Sequence, residues 1–145
     1  MFKRILLPTD GSELSSRAGL AGVSFAKEAG AQVIGMTALP GYKTFTANAD
    51  MIESTEDEYL AASEARAGKW LAAVSDAARD AGVECATVLV RADDPHEAIL
   101  RTARDRGCDL IVMASHGRRG LGGLLLGSET QKVLVHSSIP VLVYR

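Results

Sequence analysis

A chain of 145 residues fits one domain, large enough to bury a core without metal or disulfide support. It is 47% hydrophobic and 5% aromatic with a formal net charge of −2, which gives no global attraction to nucleic acid or to an anionic membrane. No apolar run is long enough to span a bilayer, and no signal-peptide-like apolar stretch opens the chain, so a cytoplasmic location is expected.

Residues 3–8 are an apolar run that predicts a first strand, closed by the polar turn Thr9-Asp10-Gly11-Ser12. A helix follows over residues 12–29, with Ser12 as N-cap and Gly30 as stop. Its Leu14, Ala18, Ala21 and Phe25 recur at helical spacing. Residues 32–38 predict the second strand, ended by Pro40. Residues 41–58, with Gly, Asn, Thr and an acidic run, read as a long loop beside that strand's end: either a lid over a ligand or a plain surface loop. An alanine-rich helix spans residues 56–81, with Tyr59, Ala62, Trp70 and Val74 on its apolar positions and Trp70 as an anchor.

Residues 84–90 predict the third strand. Asp94-Pro95 is a favourable cap and first position for a third helix, which ends near Gly107. Residues 110–114 form a buried fourth strand, residues 128–136 a fourth helix and residues 141–144 a fifth strand. Alternating strands and helices predict a single-domain α/β fold, a doubly wound five-stranded parallel sheet with helices on both faces. The pattern fits the strand order 2-1-3-4-5 or 3-2-1-4-5. Cys85 and Cys108 lie in no Cys-x-x-Cys pair and near no histidine at zinc spacing, so reduced, largely buried thiols are expected.

The chemistry concentrates after the fourth strand. Ala114-Ser115-His116-Gly117 opens a glycine-rich loop that ends at Gly127-Ser128-Glu129-Thr130, a helix start. A helix N-terminus presents unpaired N–H groups and the positive end of its dipole, and glycine lets the backbone approach an anion. Ser128 would give its hydroxyl and N–H to phosphate oxygens, with Thr130 assisting, and Arg118 and Arg119 lie inside the loop as possible phosphate contacts or as solvated charges. Neither a P-loop nor a Gly-x-Gly-x-x-Gly fingerprint is present, since Leu125 takes the third glycine's position after Gly120 and Gly122.

In open parallel sheets ligands sit at the carboxyl ends of strands where the order reverses. With strands one and four as neighbours across that switch, Asp10 faces the glycine loop and can accept from ribose hydroxyls. Pro8 and Thr9 would line a purine pocket with their backbone. His116 lies in the loop without an evident triad, His96 is expected to be exposed, and His136 closes the last helix where a cation suits the dipole. Asp93-Asp94 serves the strand-to-helix turn.

The opening Ile5-Leu-Leu-Pro-Thr-Asp-Gly-Ser12, the stretch Met113-Ala-Ser-His-Gly-Arg-Arg-Gly120, Leu124-Leu-Leu-Gly-Ser128 and Ile139-Pro-Val-Leu-Val143 together resemble the universal stress protein family over the whole length. The resemblance implies the order 3-2-1-4-5 and an adenine-nucleotide alpha-hydrolase-like fold. ATP-binding members share Gly, two residues, Gly, nine residues, Gly, then Ser or Thr. Gly117, Gly127 and Ser128 match, and Ala114 stands where the first glycine would be.

With position, the resemblance also implies that Ala38 and Met113 bracket the base. It implies ATP as a regulatory ligand with Mg²⁺ following the phosphates, an output in stress tolerance rather than catalysis, and a homodimer through the apolar edge strand Val141–Tyr144. Two other readings stay open: a dimeric interaction protein of this fold that binds no nucleotide, and a slow ATP hydrolase.

Overall fold

The computed structural model describes residues 1–41, 55–117 and 126–145. In chain order the elements are β1 (Arg4–Pro8), α1 (Glu13–Ala29), β2 (Gln32–Leu39), α2 (Glu56–Ala81), β3 (Cys85–Arg91), α3 (Pro95–Asp105), β4 (Leu110–Ala114), α4 (Ser128–His136) and β5 (Val141–Tyr144). The strands form one sheet in the order β3-β2-β1-β4-β5, every neighbouring pair parallel. The chain winds outward from β1 through β2 to β3. It then returns to the other side of β1 for β4 and runs out to β5, so the order reverses between β1 and β4.

Period-two alternation divides the core between the sheet's two faces. Ile5, Leu7, Val33, Leu110 and Val112 pack with Val23 and Ala26 of α1 and Val74 and Ala78 of α2. Leu6, Ile34, Met36, Ile111 and Met113 pack with Ala98, Ile99 and Ala103 of α3 and Val133 of α4. Burial on both faces is why β1 and β4 read as unbroken apolar runs.

Local signals set most element ends. Ser12 caps α1, its hydroxyl accepting the Ser15 N–H at 3.2 Å, and Gly30 closes the helix at φ 68°. Thr55 and Glu58 form a reciprocal capping box on α2, so residues 55–58 belong to that helix's start rather than to the expected loop. Residues 42–54 lie outside the described part. β2 runs one residue further than expected and β3 is shifted by one, because Leu39 pairs with Arg91 at the end of the ladder.

One expected cap fails: Asp94 precedes Pro95, but its side chain makes no capping bond. No described helix is long and apolar enough to cross a membrane. Both cysteines are free, Cys85 half-buried and Cys108 buried. Burial pushes the Cys108 thiol up to about 11, with Arg4 and Arg106 opposing and Asp109 adding to the rise.

Candidate functional site

The carboxyl ends of β1 and β4 open onto one crevice at the switch point. On the β1 side the chain turns through Thr9-Asp10-Gly11-Ser12 into α1. Thr9 is buried and committed: its N–H donates to the Met36 carbonyl at 2.8 Å, its carbonyl accepts from the Thr37 hydroxyl, and its own Oγ1 accepts the Gly11 N–H at 3.2 Å. Asp10 Oδ1 accepts the Ser12 N–H at 3.0 Å. The other oxygen faces Gly117 so closely that a Cβ added there would overlap it. Asp10 and Gly117, the residue at which the glycine loop begins, thus meet at the switch point.

Gly117 owes its identity to that approach and not to a left-handed backbone, for its φ is not positive. The left-handed glycine of the site is Gly11, at φ 79°.

On the β4 side Ala114 is buried at the end of the strand, in register with Tyr144 of β5. Ser115 donates its N–H to the Tyr144 carbonyl at 2.8 Å and accepts the Gly127 N–H at 2.7 Å. That second bond closes the base of the loop and brings the start of α4 to the end of β4. Gly127 is the N-cap, and a Cβ there would stand 3.0 Å from the His116 Cα and 3.2 Å from the Ser115 carbonyl oxygen. Glycine supplies no capping side chain, and the Gly127 carbonyl receives the Gln131 N–H. The N–H groups of Ser128, Glu129 and Thr130 therefore form the first turn, which has no intrahelical acceptors. Ser128 is exposed at its tip.

Three residues are placed differently from their expected positions. The Thr130 hydroxyl is buried and donates to the Ala114 carbonyl at 2.9 Å, so it ties α4 to β4 instead of facing a phosphate. Glu129 turns toward α3, where its Oε2 accepts the His96 N–H at 2.8 Å and lies 3.1 Å from His96 Nδ1; Lys132 Nζ is 3.2 Å from its Oε1. His96 is consequently not an exposed residue: its side chain is only 14% accessible. Glu129 supplies across the interface the cap that Asp94 does not give α3. Burial raises the Glu129 pKa, yet the His96 N–H, Lys132 and the His96 ring together hold it below the ordinary value.

Met113 is buried in the core beside Leu6, Met36 and Val133, and Ala38 is half-buried against the same cluster. His116 is half-buried with Nδ1 3.2 Å from the Ser115 hydroxyl. Arg118 and Arg119, with the glycines at 120, 122 and 123, lie outside the described residues.

Two contacts of this region escaped sequence reasoning, one made by Arg91 and one by Trp70, which the sequence marks only as an anchor. Arg91, at the end of β3, reaches the Leu60 carbonyl at 3.2 Å and the Ser63 hydroxyl at 2.8 Å, fixing α2 against the end of the sheet. Trp70 of α2 lies against Gly11, where an added Cβ would overlap its indole ring. Neither contact has a local sequence signal, because each joins elements far apart in the chain.

The model of the universal stress protein family matches residues 1–145. The chain belongs to the universal stress protein family. Among its relatives, universal stress protein YxiE of Bacillus subtilis is 33% identical over 149 residues, covering all of both chains. The solved structure of MJ0577, a universal stress protein of Methanocaldococcus jannaschii, is 30% identical with a TM-score of 0.83, covering 99% of this chain and 96% of the other. A universal stress protein from Archaeoglobus fulgidus, solved in complex with dAMP, shares the fold at 18% identity and a TM-score of 0.69, covering 100% of this chain and 98% of its own. The universal stress protein fold, adenine-nucleotide alpha-hydrolase-like with strand order 3-2-1-4-5, is the one found here.

Proposed function

We propose that this universal stress protein binds ATP in the β1/β4 crevice as a regulatory ligand. The observation that carries the reading is the meeting of Asp10 with Gly117 beside the first turn of α4, whose N-cap Gly127 supplies no capping side chain. A ribose needs acceptors and a phosphate chain needs donors, and the two walls offer one of each. In this reading Ser128 and the N–H groups that follow hold phosphate oxygens, with Arg118 or Arg119 adding charge. Asp10 holds the ribose, and Pro8, Thr9, Ala38 and Met113 surround the base through the backbone and packed atoms they present. Mg²⁺ would follow the phosphates. The dAMP complex of the Archaeoglobus fulgidus protein supports an adenine nucleotide as the ligand class.

Ala114 does not argue against this site. It is the last residue of β4, already buried, with its carbonyl held by Thr130. Its methyl therefore belongs to a packed strand end, and Ala114→Gly is expected to keep or strengthen affinity with a stability loss under about 1 kcal/mol.

The output we propose is stress tolerance through contacts with other proteins, in the cytoplasm, by a homodimer. β5 is an edge strand, and its Leu142 is 38% exposed. Antiparallel pairing of two copies would satisfy both edges at once. Light scattering should report a dimer that Leu142→Lys weakens; a wild-type monomer at high micromolar concentration would refute it. For the ligand, protein purified from cells is denatured and the released small molecules are separated by chromatography. Adenine nucleotide in the extract, with saturable ATP rebinding, is expected. Protein that releases none and shows no rebinding would leave the interaction-only reading. Product formation from ATP above background would favour the slow hydrolase.

A further inference from the structure

We propose that Trp70 is a positioning residue of the nucleotide site, acting through the turn that carries Asp10; the proposal rests on the ATP reading above. Trp70 is the chain's single tryptophan. It stands outside the fully buried stripe of α2, which runs through Tyr59, Ser63, Ala67, Leu71, Val74 and Ala78. Its indole reaches instead to the β1–α1 turn and lies against Gly11, leaving no room for a side chain there.

Gly11 is the most permissive link of that turn, a glycine at φ 79° between Asp10 and Ser12. Two hydrogen bonds hold it from within, Gly11 N–H to Thr9 Oγ1 and Ser12 N–H to Asp10 Oδ1. The indole is a rigid plate with two side-chain torsions, suited to fixing a mobile backbone by contact. Around it Thr9, Ser16, Leu20, Ala73 and Val74 leave a cavity of about 90 Å³. Removing the ring would enlarge that space directly beneath the turn. The turn would then be free to drop, and Asp10 would leave its place against Gly117. Trp70 need not touch the ligand: it sets the position of the carboxylate that accepts from the ribose.

The test uses the full chain with two ligands, ATP and 2′,3′-dideoxy-ATP, each with Mg²⁺. Only the first offers hydroxyls to Asp10. Trp70→Ala is expected to lose about ten-fold in ATP affinity, the size of one hydrogen bond to a charged group, while dideoxy-ATP affinity stays at the wild-type value. Trp70→Phe, which keeps a ring beneath Gly11, should recover part of the loss and guards against a misfolded alanine variant. In the wild type, ATP should shift Trp70 fluorescence more than dideoxy-ATP does. Equal losses for both ligands, or no loss for either, would overturn the positioning role and leave the nucleotide site standing. A wild type that binds neither ligand would overturn the site itself, and this role with it.

Discussion

The two strand-to-helix junctions that face each other across the crevice are built in opposite ways. At the end of β1, side chains close the turn: Ser12 caps α1, Asp10 holds the Ser12 N–H, and Thr9 holds the Gly11 N–H. At the end of β4, glycine occupies the N-cap of α4, and side chains of the first turn point elsewhere, Glu129 to α3 and Thr130 back to β4. The first junction spends its donors internally and presents a carboxylate. The second has no capping side chain at its N-cap and turns its own carboxylate toward α3. In the proposed reading, the helix start that lacks a capping side chain would take the anion, and the capped turn beside it would read the polar, uncharged part of the same ligand.

The contrast can be broken most severely at the point where the walls meet. Gly117→Val should abolish ATP binding, a loss beyond about a hundred-fold, because any side chain there displaces Asp10. Circular dichroism should show the fold intact, and calorimetry should show no saturable heat. Asp10→Asn should cost about ten-fold in affinity for ATP while leaving binding of inorganic triphosphate unchanged, since the phosphate wall is untouched.

Ser12→Ala sharpens the comparison from the other side. It removes the cap of α1 and should lower stability by about 1 kcal/mol in denaturant titration, with ATP affinity within two-fold or so of wild type. A cap placed on the wrong junction would do the reverse, lowering affinity at little cost to stability.

The smallest effect is expected at Glu129. Its folded pKa lies below the ordinary value, so its contribution to stability is present above the unfolded pKa and is lost as pH falls through the folded one. Glu129→Gln should therefore flatten the acid limb of the melting temperature below the normal glutamate range and change little at neutral pH. An unchanged acid limb would mean that the α3–α4 tie carries no charge-dependent stability.

Much of this contrast was legible in the residues themselves. Unbroken apolar runs in β1 and β4, the helical spacing of α1, and the Ser12 and Gly30 caps all follow from local pattern and agree with the structure. Strand order was not: the β1–β4 pairing joins segments about a hundred residues apart, and only resemblance to a family separated it from the alternative order. At the site, Asp10 and Gly117 were legible because each is a distinctive residue at the end of a strand. Glu129 and Thr130 misled because a polar residue in a helix's first turn looks the same whether it faces a ligand or a neighbouring element. Their partners, His96 at 33 residues and Ala114 at 16, are fixed only when α3, α4 and β4 pack. The place of Trp70 beneath Gly11 is likewise a product of α2 crossing the sheet.

The central claim is that the two unlike walls together hold one adenine nucleotide, and calorimetric titration of the wild-type protein with ATP and Mg²⁺ tests it most directly. The expected result is saturable binding of one ATP per protomer, with a dissociation constant between micromolar and sub-millimolar; the tight end corresponds to about −8 kcal/mol. No heat and no rise in melting temperature at millimolar ATP would contradict it.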